Sequence, residues 1–208
     1  MRTIRPVLVG LAAVGALALS ACAPESSAPA SSSAAAAVDC TPAKLQTQVA
    51  EKLTVATGQP AYEPWVVDDN PANGKGYESA VAYAVAKQLG YSPEQVSWTR
   101  TTFDGAVAPG PKDFDWNLQQ YSITPQREQA VDFSAPYYTV TQAVVTTKGS
   151  PIAGATTLAE LKNAKLGAAV GTTSLDDANT VIAPTKAVSV FNDNAAAVTA
   201  LKNGQVDG

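Results

Sequence analysis

The sequence predicts an α/β protein whose sheets are largely parallel and whose folded part is divided into two lobes. From Leu53 onward, short runs of apolar and β-branched residues alternate with stretches of helical periodicity, a pattern typical of parallel strands joined by crossover helices. A polar break at Lys148-Gly-Ser-Pro151 interrupts the alternation. We therefore expect one lobe over residues 50–147 and part of a second lobe over residues 148–208, with no internal repeat.

Four strands and one long helix are expected in the first lobe. The strands are apolar, β-branched runs, at residues 53–56, 96–99, 115–123 and 139–147. The helix is expected over Tyr77–Leu89, because an apolar stripe at i, i+4 and i+8 is typical of a helix packed on a sheet. That stripe consists of Val81, Val85 and Leu89. Gly90 follows at the position where a glycine commonly ends a helix.

The second lobe is expected to alternate helices and strands in the same way. Thr157 and Glu160 match a capping box, which predicts a short helix ending at Asn163. Asn192 or Asp193 is expected to cap a helix that continues to Lys202. Two strands are predicted at residues 165–170 and 187–191, and a further helix is predicted from residue 175. A third strand is predicted to begin at residues 205–207.

The first 40 residues indicate export and attachment to a membrane. Two arginines precede a short apolar run, which is typical of a secretory signal over residues 1–21. The alternative, a membrane-anchor helix, is disfavoured because the run is shorter than the roughly 20 residues that span a bilayer. The sequence Leu19-Ser-Ala-Cys22 resembles a bacterial lipobox, which implies a lipid on Cys22. Residues 22–40, rich in Ala, Ser and Pro, are expected to be a disordered tether.

Composition excludes several classes of function. Without the signal, the chain has 12 basic and 18 acidic residues and a formal charge of −6, which argues against a nucleic-acid partner. It has no histidine, the commonest general base and metal ligand. Only Cys22 and Cys40 could supply thiols, and Cys40 is unpaired if Cys22 carries lipid. No cofactor or metal site is therefore expected.

Arg127 is the first candidate for ligand binding. It ends the segment Gln120-Tyr-Ser-Ile-Thr-Pro-Gln-Arg127, in which Pro125 suits the first position of a helix. Free amides at a helix start favour an anion, and a guanidinium matches a carboxylate with two parallel hydrogen bonds. The residues alone leave open an alternative, an exposed arginine that pairs with Glu128 or Asp132.

Two further groups of residues follow predicted strands. Tyr62 and Phe103 come soon after the first two strands, and ligands of open α/β sheets bind outside the carboxyl ends of strands. The loop Gly171-Thr-Thr-Ser174 offers amides and hydroxyls at a helix start. Taken singly, core packing is the favoured interpretation for each aromatic, and a routine helix N-cap is the favoured interpretation for the loop.

In chain order, these segments closely resemble bacterial extracellular solute-binding proteins of the polar amino-acid uptake family. The resemblance covers residues 53–207. The matching segments are Gly76-Tyr-Glu-Ser-Ala-Val-Ala82, Ser122-Ile-Thr-Pro-Gln-Arg127, Val131-Asp-Phe-Ser-Ala-Pro-Tyr137 and Gly171-Thr-Thr173. The second and third of these, taken together, are the specific signal.

The resemblance implies a two-lobed clamshell of the periplasmic-binding-protein type 2 fold, with an amino acid between the lobes. Arg127 would bind the α-carboxylate of the ligand. Ser122 would donate a hydrogen bond, and the Gln120 carbonyl would accept one from the α-ammonium. The side chain of the ligand would lie between Tyr62 and Phe103. From the second lobe, Thr172 and Thr173 would close on the carboxylate.

The sequence departs from the family pattern at two places. Family members carry an acidic residue, which binds the α-ammonium, shortly after a strand that matches Gly204-Gln-Val-Asp-Gly208. The sequence stops at Gly208, before the position of that acidic residue. We therefore expect the chain to be a fragment in which the second lobe and the return of the chain to the first lobe are incomplete. Gln59 stands near a position where many relatives have an acidic residue, which makes a basic ligand less favoured.

The function expected from these observations is that of a lipid-anchored binding protein on the outer face of the cell membrane. It would be monomeric, would capture an amino acid, and would deliver it to the permease of an ABC importer. One alternative is a lipoprotein of the same fold that presents an amino acid to a receptor. Another is a dehydratase on this fold, which is disfavoured because no acid–base set is recognisable. An enzyme is therefore not expected.

Overall fold

Two small parallel sheets organise residues 39–208, the part of the chain that the computed structural model describes. The predicted signal peptide, the lipidation site Cys22 and nearly all of the predicted tether lie outside the described residues. The described residues form one compact unit. None of the helices within residues 39–208 has the length and apolar character needed to cross a membrane.

The first sheet has the strand order β2-β1-β3, with β1 at Leu53–Gly58, β2 at Val96–Thr101 and β3 at Trp116–Asn117. Both neighbours run parallel to β1. Every residue of β1 is buried, as expected for the central strand of a parallel sheet that is covered on both faces. The strands predicted at residues 53–56 and 96–99 are thus confirmed, each with a longer extent.

Helix α1, at Tyr77–Gln88, connects β1 to β2. Gly90 has φ +86°, and its N–H donates to the Lys87 carbonyl while the N–H of Tyr91 donates to the Ala86 carbonyl. These two bonds form a Schellman motif, so the predicted stop at Gly90 is confirmed.

The buried face of α1 differs from the predicted one. Its buried residues are Glu78, Ser79, Ala82 and Ala86, whereas Val81, Val85 and Leu89 are only half-buried. Small residues face the sheet because they let the helix approach it closely, and the larger side chains pack at the margin of the core.

Two predicted strands of the first lobe are corrected. Only Trp116–Asn117 of residues 115–123 is a strand, because the backbone of Gln120 has φ +52° and leaves the extended conformation. Residues 139–147 form no strand. They connect the two sheets, and among the described residues no strand lies beside them to pair with.

Asp115 fixes the edge strand to the centre of the first sheet. One carboxylate oxygen accepts the Gln48 N–H and the other accepts the Thr54 N–H, each at 2.6 Å. The Asp115 N–H in turn donates to the Thr54 carbonyl at 2.8 Å. Asp115, predicted from the sequence only as the first residue of a strand, therefore serves as a clamp.

The second sheet pairs β4 (Gly167–Ala169) with β5 (Ser189–Phe191) in parallel. Residues 205–208, predicted to begin a strand, run beside β4, where the Asp207 N–H donates to the Lys165 carbonyl. Helix α4, at Asn194–Lys202, is capped by Asp193, which is one of the two residues predicted as its cap. The predicted capping box is present, but it opens a 3₁₀ helix at Leu158–Leu161 rather than a helix to Asn163.

Replacing Asp115 with alanine should lower the free energy of unfolding by about 1–3 kcal/mol, because two backbone N–H groups lose their acceptor. Urea titration measures this quantity from the midpoint and slope of the transition. Asp113→Ala is the matched control, since Asp113 is exposed, and it should change stability by less than about 0.5 kcal/mol. Equal effects of the two substitutions would contradict the clamp.

Candidate functional site

A cavity of about 1140 Å³ opens where the carboxyl ends of the strands of both sheets meet. Its wall contains a residue at or just after the end of every strand, namely Gln59, Thr101, Asn117, Ala169 and Asn192. This is the place where open α/β sheets bind ligands. The structure also brings all seven site residues predicted from the sequence to this cavity: Tyr62, Phe103, Gln120, Ser122, Arg127, Thr172 and Thr173.

Arg127 is buried, with 9% of its surface exposed. One guanidinium nitrogen donates to the Ser122 carbonyl at 2.7 Å and the other to the Gly171 carbonyl at 2.9 Å. Burial lowers the pKa of Arg127 from its ordinary value because the interior disfavours the charged form. Within residues 39–208 the single ion pair joins Arg100 to Asp69, so the alternative of an exposed Arg127 paired with Glu128 or Asp132 is wrong.

The expected helix start at Pro125 has a different form. A 3₁₀ turn follows at Arg127–Gln129. The Arg127 N–H donates to the Thr124 hydroxyl at 3.2 Å, and the Glu128 N–H donates to the Thr124 carbonyl at 3.0 Å. These amides are already occupied, so the guanidinium, and not the amides of residues 127 and 128, is the candidate anion-binding group of this loop.

Two aromatic rings pack beside the guanidinium. Phe103, the first residue of α2 (Phe103–Val107), lies 4.3 Å from Tyr121 between ring centroids. The guanidinium carbon of Arg127 lies 5.3 Å and 5.6 Å from the centroids of Phe103 and Tyr121, within the range of cation–π attraction. Burial raises the pKa of Tyr121 above its usual value. Tyr121 was not identified from the sequence.

The Gly171-Thr-Thr loop belongs to the second sheet and contacts the first. Thr172 is the N-cap of α3 (Thr173–Asp177), because its hydroxyl oxygen accepts the Leu175 N–H at 3.2 Å. The Thr173 hydroxyl lies 3.4 Å from that of Ser122. It also accepts a hydrogen bond of 2.9 Å from the side-chain amide of Gln142. The structure thus supports the N-cap interpretation for Thr172, and it shows Thr173 beside Ser122.

Tyr62 forms a second contact between the two sheets. Its hydroxyl oxygen accepts the Ala195 N–H at 3.1 Å, in the first turn of α4. Burial is the main reason that the pKa of Tyr62 is raised. Tyr62 therefore lines the cavity with its ring and reaches the second sheet with its hydroxyl.

Gln120 depends on a residue that the sequence analysis did not assign, Glu78. One Glu78 carboxylate oxygen accepts the Gln120 N–H at 2.8 Å and the Tyr137 hydroxyl at 2.5 Å, and the other accepts the Gln120 side-chain amide. Glu78 is 1% exposed, and burial raises its pKa. The sequence feature that could have identified Glu78 is its spacing, which places this acidic residue on the same helix face as the small, buried residues Ala82 and Ala86.

The cavity offers organic recognition groups rather than a metal centre. Within residues 39–208, no three His, Cys, Asp or Glu side chains are grouped so that they could hold a metal ion. The wall combines a buried cation, aromatic rings, hydroxyls and amides, which is the mixture typical of small-molecule sites.

Comparison with known proteins gives a consistent result. Residues 53–204 match the family described as bacterial extracellular solute-binding proteins, family 3. The ABC transporter glutamine-binding protein GlnH of Bacillus subtilis is 30% identical over 141 residues, which are 66% of this chain and 50% of that protein. The chain spans about half the length of the curated relatives it matches.

Two solved structures are also similar. One is an ancestral arginine-binding protein bound to glutamine, with a TM-score of 0.63 and 34% identity over 75% of this chain and 67% of the other. The second is an ancestral amino acid-binding protein, a precursor of cyclohexadienyl dehydratase, with a TM-score of 0.62 and 31% identity over 75% and 68% of the two chains. Both relatives are named as binding proteins.

The predicted α/β clamshell of the periplasmic-binding-protein type 2 fold is confirmed by these neighbours, of which this chain covers about two thirds. The family match covers most of the chain and includes the cavity-lining segments of both sheets. The chain therefore belongs to the bacterial extracellular solute-binding proteins, family 3.

Proposed function

We propose that this chain is the substrate-binding lipoprotein of an ABC-type importer and captures a free amino acid between its two lobes. One observation carries the proposal, namely that Arg127 is a buried guanidinium with no carboxylate partner within the described residues. A buried charge is costly unless it is paired. A ligand carboxylate would supply the missing charge, and the guanidinium fork suits its geometry.

The other lining residues fit the remaining parts of an amino acid. Ser122 and Thr173 offer hydroxyls beside Arg127, and Thr172 lies at the start of α3. The Gln120 carbonyl is the proposed acceptor for the α-ammonium. The rings of Tyr62 and Phe103 are the proposed walls for the side chain of the ligand. Because these residues come from both sheets, a bound ligand would favour the closed arrangement of the lobes.

Delivery to a permease is the proposed use of the bound amino acid. The similarity to the Bacillus subtilis glutamine-binding protein of an ABC transporter supports this use. An amino-acid sensor of the same fold would bind its ligand in the same way but would act through a receptor. Uptake of labelled amino acid by cells separates the two, because only loss of the importer's binding protein abolishes uptake.

Catalysis is the weaker proposal. The similarity to an ancestor of a dehydratase is the observation that raises it, but that ancestor is itself named as an amino acid-binding protein. The proposed activity is therefore binding without chemical conversion. Incubation with a bound amino acid should return the same compound, which mass spectrometry of the released ligand checks.

Substitution of Arg127 should abolish capture while leaving the fold intact. A thermal-shift screen of the twenty amino acids identifies the ligand, since a ligand stabilises by RT ln(1 + [L]/Kd). Arg127→Ala should then weaken binding by about 100-fold or more, because two charge-assisted hydrogen bonds are lost. Arg127→Lys should lie between alanine and wild type, because lysine keeps the charge but not the fork.

Two controls accompany this measurement by calorimetry. Lys112→Ala removes another cation of the cavity wall, one whose ammonium donates to the carbonyls of Gly105 and Ala108, and affinity should change by less than about threefold. The amide of the same amino acid, which lacks the carboxylate, should bind the wild type as weakly as the parent ligand binds Arg127→Ala. Wild-type affinity in Arg127→Ala would sink the carboxylate assignment.

The proposed lipid anchor rests on Cys22 alone. Cys22→Ala should move the exported protein from the membrane fraction to the soluble fraction, because the acylated thiol would supply the membrane affinity. Cys40→Ala is the matched control and should leave the protein in the membrane fraction, since Cys40 is an exposed free thiol. A Cys22→Ala protein that stays with the membrane would show that the first residues are an uncleaved anchor.

A further inference from the structure

We propose that Glu78 is a positioning residue for the ligand site. It fixes the backbone turn at Gln120 and, through Tyr137, joins that turn to the segment that connects the two sheets. The inference rests on the proposed function in one respect only, that Gln120 and its neighbours contact a ligand. Glu78 itself lies in the first turn of α1, where it borders the same cavity with 1% of its surface exposed.

The burial of Glu78 requires compensation. Its side chain is 1% exposed, and no Lys or Arg of residues 39–208 lies within ion-pair distance of it. An unpaired buried carboxyl group is costly, so the hydrogen bonds it accepts must account for its presence. All of them come from two residues, Gln120 and Tyr137.

The two hydrogen bonds between Glu78 and Gln120 stabilise an unfavourable backbone conformation of Gln120. Gln120 has φ +52°, in the left-handed region that costs a residue with a side chain on the order of 1 kcal/mol or more. Glu78 accepts both the backbone N–H and the side-chain amide of this residue. Holding both groups fixes the direction of the peptide that leads into Ser122 and the Arg127 loop.

The third bond reaches the segment between the sheets. The Tyr137 hydroxyl donates to the same Glu78 oxygen that accepts the Gln120 N–H. Tyr137 is held again by its own carbonyl, which accepts the Tyr77 hydroxyl at 2.8 Å. The segment then contacts the second sheet, where Gln142 donates to Thr173 and Thr146 donates to the Asp207 carbonyl.

A single carboxylate oxygen is therefore shared by the ligand-binding turn and the inter-sheet segment. A movement of the segment that displaces the Tyr137 hydroxyl changes the environment of the bond that holds Gln120. The neighbouring Ser79 shows that burial alone does not create such a link. It is also fully buried on α1, but its hydroxyl has no partner within the described residues.

The geometry allows a conservative substitution to restore what alanine removes. Glu78→Gln keeps an oxygen for the Gln120 N–H and the Tyr137 hydroxyl, and its amide can donate to the Gln120 side chain after that amide rotates by half a turn. Glu78→Ala leaves all three donors without an acceptor. Ser79→Ala is the matched control, a buried polar residue of the same helix changed to alanine.

Two measurements on the 208-residue chain test the proposal. The first is amide hydrogen exchange at residues 118–127, and the second is the affinity of the folded protein for its amino acid. Glu78→Ala should accelerate exchange at Gln120 and its neighbours by about tenfold or more and weaken binding by a similar factor, as expected for lost hydrogen bonds to a carboxylate. Glu78→Gln and Ser79→Ala should stay within about threefold of wild type in both measurements.

A second variant keeps the test decisive if Glu78→Ala does not fold. Tyr137→Phe removes only the shared hydroxyl and should accelerate exchange at Gln120, although Tyr137 lies 17 positions away in the sequence. Tyr138→Phe is its control, since the Tyr138 hydroxyl makes no hydrogen bond within residues 39–208 and the residue is 56% exposed. Unchanged exchange at residues 118–127 in Tyr137→Phe would overturn the proposed link.

The two measurements distinguish a failure of this inference from a failure of the proposed function. The exchange measurement needs no ligand. A wild-type protein that binds none of the twenty amino acids would therefore overturn the proposed function alone. Wild-type exchange and affinity in a folded Glu78→Ala protein would overturn the positioning role alone. Failure of Glu78→Gln to restore both measurements would also overturn it, because the proposed role depends on the hydrogen bonds and not on the charge.

Discussion

The organisation of the cavity depends on one buried positive charge that has no ion-pair partner within the described residues. The groups in contact with Arg127 are two carbonyls and two aromatic rings. Carbonyls satisfy its N–H groups, and rings attract its charge weakly, but none of them neutralises it. One carbonyl comes from each sheet. The same guanidinium therefore contacts both lobes, and under the proposed function a ligand carboxylate would pair with its charge.

The second arginine of this region shows what a structural arginine looks like. Arg100, near the end of β2, donates to the Asp69 carboxylate at 2.7 Å and to the Gly58 carbonyl. The pKa of Asp69 is lowered, first by the Ala61 N–H that it accepts and then by Arg100. Arg100 thus finds its counter-charge within its own lobe. The difference between these two arginines distinguishes a fold-stabilising pair from a site prepared for a ligand.

The sequence predicted those features that depend on short-range chemistry. At the end of α1, the N–H groups of Gly90 and Tyr91 donate to carbonyls three and five positions earlier, respectively. Asp193 caps α4 by accepting the N–H of the residue three positions ahead. The strands at residues 53–56 and 96–99 were predicted from their apolar and β-branched residues. These residues are buried in the first strand and half-buried in the second, where Ser97 is exposed. The segment around Arg127 was located because its pattern is contiguous.

Features that depend on distant contacts were not predictable in the same way. The strand signal at residues 139–147 was misleading because β-branched residues form a strand only beside a partner, and none is present among the described residues. Glu78 and Tyr137 are 59 positions apart, and Tyr62 and Ala195 are 133 positions apart. No local pattern reports such pairs. The acidic residue on the sheet-facing side of α1 was the only indication of the first.

Gly171 determines how closely the two lobes approach each other. Its backbone has φ +70°, and a Cβ at this position would lie 3.2 Å from the Cβ of Asp104 on α2. The carbonyl of the same residue accepts a hydrogen bond from Arg127. The two lobes are thus in close contact at this residue. Adding one methyl group would strain the backbone and would require Asp104 to shift by a few tenths of an ångström, so the contact between the lobes is sensitive to a single atom.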